Sequence, residues 1–211
     1  MTAMKNFFNG MGRFFGRART WYWIGGVVAV LLALCGLCAI MGWYPIALVD
    51  GHPIWASSFY EAYQSGYAYW SSMLRLQSPQ DVAITPGIQN TIRGLAFEAS
   101  IDDYLIMRKL EKDIGGAALA DKIQSAEQQT LNDQTFQQNL SKLGISSQAS
   151  IDYFVRQIAE YNLLDGDVRL ENTTAPQWLL DARTQARVII LMPGYRWAGS
   201  GVSVANATTT R

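Results

Sequence analysis

Cysteine is confined to one place in this chain: the only two, Cys35 and Cys38, stand three positions apart inside an uncharged apolar run, and none lies beyond it. No disulfide can therefore staple residues 45–211, which must fold on burial and hydrogen bonding alone. Histidine is almost as scarce. His52 is the only one, with no second ligand or nucleophile at a motif spacing, and it reads as a surface turn residue. The chain contains no GxSxG, no HExxH, no Walker loop and no glycine-rich dinucleotide loop. Asp102 with Asp103, and Asp165 with Asp167, are carboxylates close in sequence. Helical neighbours of this spacing do not face each other, so they read as solvated faces rather than acid–base pairs. No catalytic, cofactor-binding or metal-ligating residue is assigned, and no small-molecule substrate is expected. A basic field is missing as well. Residues 45–211 carry thirteen Lys or Arg against seventeen Asp or Glu, a net of −4, which sets nucleic acid aside as a partner.

What the chain does have is a long hydrophobic stretch, residues 21–44. Nineteen residues, Ile24 to Gly42, carry no charge and no strongly polar side chain. At ~1.5 Å per residue a helix of that length approaches the ~30 Å hydrocarbon core of a bilayer. Trp21, Tyr22 and Trp23 stand at one end and Trp43 and Tyr44 at the other, as in an aromatic belt. Residues 21–44 therefore predict a single transmembrane helix. Within it a thiolate would be costly, so the CxxC pair reads as small packing residues. Residues 1–20, with Lys5, Arg13, Arg17 and Arg19 and no acid, form a basic, aromatic tail. The positive-inside rule keeps that tail cytoplasmic and exports residue 45 onward. No convincing cleavage site follows the run, and Leu34 before Cys35 and Leu37 before Cys38 fit a lipidation site poorly, so the segment reads as an uncleaved anchor in the cell (inner) membrane.

Beyond the anchor the pattern is mainly α, with a little β. Ile46–Val49 is a short β-prone run, Asp50-Gly51 a turn, and His52–Ile54 a brief return. Ser58 and Glu61 have capping-box spacing, predicting a helix over 58–76. Its polar arc comprises Glu61, Gln64, Ser65, Ser71, Ser72 and Arg75. Two apolar stripes, Tyr60-Tyr63-Tyr67-Trp70-Leu74 and Phe59-Ala62-Gly66-Tyr69-Met73-Leu76, cover more than one buried face needs. Either two sides are packed or part of the surface awaits a partner. Thr85 and Pro86 start a second helix that runs to Asp113 before Gly115-Gly116. Further helices are expected over 117–132, over 134–143 with a stop at Gly144, and from the Ser146–Ser150 region to between Asp165 and Glu171. In the last, Ile151, Phe154, Val155 and Ile158 form one face and Asp152, Arg156 and Glu160 the other. Thr174 and Pro176 open a short helix to Arg183, and Ala186–Met192 reads as a strand. Residues 193–211, rich in Gly, Ser, Ala and Thr, read as a flexible tail.

ALVDGHPIWASSFYEAY resembles the opening A-x-V-N-G-x-x-I-x-x-x-x-F of the SurA, PrsA and PpiD type of foldases, through Ala47, Val49, Asp50, Gly51, Ile54 and Phe59, with Asp for the usual Asn. IRGLAFEASIDDYLIMRKLEKDIGG is similar to that family's second helix. LGISSQASIDYFVRQIAEYNLLDGDVR is similar to a later one, through Gly144, Tyr153, Ile158, Leu164 and Val168. The resemblance covers residues 46–192 and rests on order and spacing. It implies a SurA-N-like helical domain over 45–192 that binds unfolded or nascent exported polypeptides. QARVIILMP resembles the first strand of the parvulin-type isomerase domain that often follows, but Val188 or Ile189 stands where its histidine should be. Nineteen residues follow Met192, so isomerase activity is not carried over.

The expected architecture is thus a transmembrane helix followed by an orthogonal multi-helix domain, with a small β pairing between strands near 46–50 and 186–192. The expected function is a membrane-anchored extracytoplasmic chaperone-like module without chemistry. Its partners would be exported polypeptides and the lipid bilayer, and its peptide-binding residues Tyr60, Tyr63, Tyr67, Trp70 and Met73. Two alternatives stay open: a membrane-tethered scaffold with one specific partner, and the front part of a prolyl isomerase.

Overall fold

A computed structural model describes residues 29, 30, 36, 42–77 and 84–204. The chain divides into two compact units, Met1–Tyr44 and Pro45–Arg211. The tail 1–20 and most of the expected span 21–44, Cys35 and Cys38 included, lie outside the described residues, as do 78–83 and 205–211. Among the described residues no helix is long and apolar enough to cross a membrane.

The second unit is mainly helical with a small antiparallel sheet. It opens with β1 (Pro45–Val49) and β2 (His52–Trp55), joined by Asp50 and Gly51 at φ +52° and +84°. That pair of positive φ values is the twist-matched two-residue hairpin, which Asp-Gly adopts readily. β3 (Val188–Ile190) pairs with the other side of β1, Ala47 opposite Ile190 and Val49 opposite Val188. The expected pairing of the two distant runs is therefore present. Asp50 fixes its register: its Oδ1 accepts from the Arg187 amide at 2.9 Å, and its own amide donates to the Arg187 carbonyl at 2.9 Å. The Arg187 amide, aided by Arg108 at 2.6 Å, holds the Asp50 carboxyl below the usual range.

Six helices follow β2 among the described residues: α1 (Ala56–Gln77), α2 (Pro86–Ile114), α3 (Gly116–Asn132), α4 (Gln134–Leu143), α5 (Gln148–Arg169) and α6 (Ala175–Gln185). α1 starts at Ala56, directly off β2, so Ser58 lies in its first turn rather than before it. α2 begins as its sequence dictates. Thr85 Oγ1 accepts from the Ile88 amide, Pro86 takes the first helical position, and Gly115 at φ +86° ends the helix. Its inner face, Ile92, Phe97, Ile101, Leu105 and Leu110, recurs at helical spacing and is buried. Leu110 and Ile106 pack with Leu119 of α3, Leu164 and Val168 of α5 and Ala175 of α6 in one core cluster. Each buried Leu, Ile or Val of this cluster stabilises the fold by roughly 1.5–3 kcal/mol.

α1 packs against both α2 and α5, and its buried seam is Ala62, Ser65 and Ser72 with Phe59 at the top. The polar arc read from the sequence is therefore wrong at Ser65 and Ser72. Small residues bring the backbones close, and a Cβ added to Gly66 would meet Ile92 Cγ2 at 3.3 Å. Burial there follows from side-chain size, not polarity.

Residues 193–204 are not the flexible tail expected. After Gly194 they form a hairpin of β4 (Tyr195–Trp197) and β5 (Val202–Val204). The Tyr195 ring lies 5.2 Å from that of Phe97, and the Val202 amide donates to Glu98 Oε1 at 2.9 Å. A Cβ on Gly201 would meet that same oxygen at 2.9 Å, so a larger residue there would push the Glu98 carboxylate away from the Val202 amide.

Candidate functional site

A predominantly apolar hollow opens in the described domain between α1, α4 and α5. Tyr69, Met73 and Leu76 form one wall, Leu140 and Leu143 of α4 another, and Phe154 and Ile158 of α5 the floor. Its volume is about 520 Å³. Lys142 is the one charged side chain among its described lining residues. A second hollow, of about 590 Å³, lies across α4 and shares Phe136, Asn139 and Ile158 with the first. There the amides of Gln129, Asn139 and Asn162 stand beside Ala126 and Leu163. An apolar trough edged by carboxamides can take alternate side chains of an extended chain while pairing with its backbone in either direction.

Local sequence explains why α4 flanks two hollows. Leu140 is its only fully buried side chain. Ten residues are too few for a helix to persist unaided, so its ends are fastened. Asp133 Oδ1 accepts from the Thr135 amide at 2.7 Å, Gln137 Nε2 donates to the Leu131 carbonyl at 2.9 Å, and Gly144 closes it at φ +64°.

The five residues expected to bind peptide do not form one site. Tyr60, Tyr63 and Tyr67 lie along a different flank of α1. The Tyr63 ring stacks on Phe59 at 6.1 Å, neighbours Tyr67 at 6.2 Å, and carries the Arg93 guanidinium over it at 5.9 Å. Tyr60 and Tyr67 are exposed and Trp70 is half-buried. Met73 alone of the five lines the hollow. The sequence reading missed Phe136, Leu140 and Leu143, although their i, i+4, i+7 spacing in a Gln-rich helix was a usable signal.

The charged residues read as solvated are partly clamped inside. Asp102 receives both Arg183 Nε, at 2.6 Å, and Arg183 Nη2, and Arg183 also reaches the Ser200 carbonyl at 3.2 Å. The Asp102 carboxylate raises the guanidinium pKa. Lys109 bridges Asp113, Asp167 and Glu171. Burial works against its charge, but bonds to Asp113 and Glu171 outweigh it and hold its pKa above the ordinary value. Those three carboxylates could converge on a cation, and the Lys109 ammonium already stands among them and offsets one of their three charges. Glu160, expected on a polar face, is 3 % exposed. Burial, with the Asp103 carboxyl alongside, pushes it up to about 9.

Comparison of the chain with protein-family models, with curated proteins and with solved structures finds no match.

Proposed function

We propose that the chain is a membrane-anchored, extracytoplasmic chaperone-like module. Its hydrophobic span 21–44 tethers an orthogonal helical domain that holds unfolded or nascent exported polypeptides without chemistry. The observation that carries the reading is the apolar hollow of Met73, Phe154 and Ile158 continuing past Asn139 into the amide-lined one. Such a surface selects for apolar side chains and exposed backbone, the features unfolded chains share. The uncharged run, the four cations before it and the foldase-like order of elements support the same reading.

The test uses the full chain in lipid nanodiscs. It is expected to suppress aggregation of a chemically unfolded client and to bind unrelated apolar peptides with similar, modest affinity. Ile158→Lys, at a position shared by both hollows and already 38 % exposed, should weaken peptide binding by about tenfold, the ~1.4 kcal/mol expected for placing a charge in the trough. No suppression and no peptide binding would refute the proposal. Capture of one stoichiometric folded protein in place of many clients would replace it with a scaffold role.

A further inference from the structure

We propose that the outer face of the β2-β1-β3 sheet rests on the membrane surface, dipping into the boundary between headgroups and acyl chains. The inference rests on the membrane-anchored reading above and adds to it the face that touches lipid. Residues opposite one another in antiparallel pairs share a face. Pro53, Leu48 and Ile189 therefore make one row across the three strands. The next row inward, Ile54, Ala47 and Ile190, faces the helices, with Ile54 and Ala47 buried. Trp55, paired with Pro45, and Leu191, two positions past Ile189, extend the outer row.

An antiparallel sheet with one solvated face ordinarily alternates apolar inside with polar outside. Here the outside positions are Pro45, Leu48, Pro53, Trp55, Ile189 and Leu191, with no hydroxyl, and the one charge of the row, the exposed Arg187, stands at its far end beside Asp50. Trp55, Ile189 and Leu191 are each more than two-fifths exposed. Water is a poor solvent for that row, and a contiguous apolar patch marks a contact surface.

The covalent chain says what covers it. Pro45, the first residue of β1, follows Gly42, the last of the nineteen-residue uncharged run, by three positions. Three residues reach at most about 11 Å, so on the membrane-anchored reading no long linker separates β1 from the span. Trp55, opposite Pro45, has the ring type that prefers the interfacial zone. The charges of the sheet, Asp50 and Arg187, with Arg108 of α2 paired to Asp50, sit at the other end of β1, at the hairpin tip.

The test uses the full chain with Cys35→Ala and Cys38→Ala, reconstituted in phosphatidylcholine–phosphatidylglycerol vesicles. Nitroxides are attached singly through Ile189→Cys, Leu191→Cys or, on the exposed surface of α3, Lys122→Cys. Labels at 189 and 191 are expected to collide more with oxygen, which concentrates in lipid, than with a water-soluble nickel chelate. The Lys122 label should show the reverse. Ile189→Asp should cost the 191 label its oxygen preference. Circular dichroism verifies that each variant is folded, and the two independent positions guard against failure of one. Nickel access at 189 and 191, in a chain that resists alkaline carbonate extraction, would overturn this inference and leave the anchor standing. Release by carbonate would overturn the anchored reading and this inference with it. Shielding from both reagents with label–label dipolar broadening would show a second copy on the face and also overturn it.

Discussion

Replacing Glu160 by glutamine should stabilise the domain, and the gain should grow with pH. Glu160 lies on α5, among groups from every helix packed around it. Arg156 Nε is 3.8 Å from its Oε1, and Arg156 Nη2 reaches Glu61 of α1 at 3.3 Å. Asp103 of α2, bonded to Gln157 at 3.2 Å, lies alongside, with Glu127 of α3 and the Tyr153 hydroxyl nearby. Burial and Asp103 favour the neutral acid, raising its pKa from an ordinary 4.5 to about 9. Below 4.5 both folded and unfolded chains carry the proton and nothing is at stake. Above it the unfolded chain releases the proton and the folded one keeps it, so stability falls as pH rises toward 9. At ~1.36 kcal/mol per pH unit, holding that proton from 4.5 up to neutral pH costs about 3 kcal/mol. A glutamine amide fits the same space and can still donate to Asp103 without that cost. Glu160→Gln should gain about 1–3 kcal/mol at neutral pH, several degrees in Tm for a domain of this size, more at pH ~8.5 and almost nothing near 4.5. Thermal unfolding of the detergent-solubilised full chain, followed by circular dichroism, reads this directly. Parallel pH profiles for the two proteins would refute the reasoning.

Gly66→Leu should wedge α1 from Ile92 of α2 and cost about 2 kcal/mol in thermal unfolding. Gly66→Ala should be nearly neutral, because ~1 kcal/mol of helix propensity offsets the tight contact. Arg183→Ala leaves Asp102 without its guanidinium and frees the Ser200 carbonyl. It should cost about 3 kcal/mol, and hydrogen exchange should quicken first in residues 195–204.

The legible features of this chain were the ones that act locally. Thr85 before Pro86, Gly115, Gly144 and Thr174 all mark helix ends through their own backbone neighbours, and all end helices where expected. The pairing of β1 with β3 was also legible, because two β-branched runs had no other strand of comparable length to meet. The misreadings share one cause. Ser65, Ser72, Asp102 and Glu160 were placed outside because they are polar, whereas contacts distant in sequence put them inside. The small seam against α2 decides the serines, Arg183 decides Asp102 from 81 residues away, and Arg156 and Asp103 frame Glu160. The hairpin 195–204 was invisible for the same reason: its glycines and serines look unstructured, and Glu98 and Arg183 hold it in place.

These same contacts make the two walls of the apolar hollow unequal. α1 and α5 are pinned to α2 by the small-residue seam and by the polar network around Glu160, in which Arg156 of α5 reaches Glu61 of α1 and Gln157 of α5 reaches Asp103 of α2. α4 has only Leu140 fully buried, with Ile145 just beyond it, and depends on its end caps for its helicity. A helix this short, held by its end caps and one buried side chain, should undock and melt as one cooperative unit, which would widen the hollow between Phe136 and Met73. On the proposed chaperone reading, clients that differ in side-chain size would need that adjustment, which a fully packed wall would refuse. Native-state hydrogen exchange should therefore show the α4 amides opening together, at a free energy below that of α2 and α5. Saturating apolar peptide should slow exchange in α4 more than elsewhere. Exchange as slow in α4 as in α2, and unchanged by peptide, would mean that the hollow is rigid and the client-binding surface lies elsewhere.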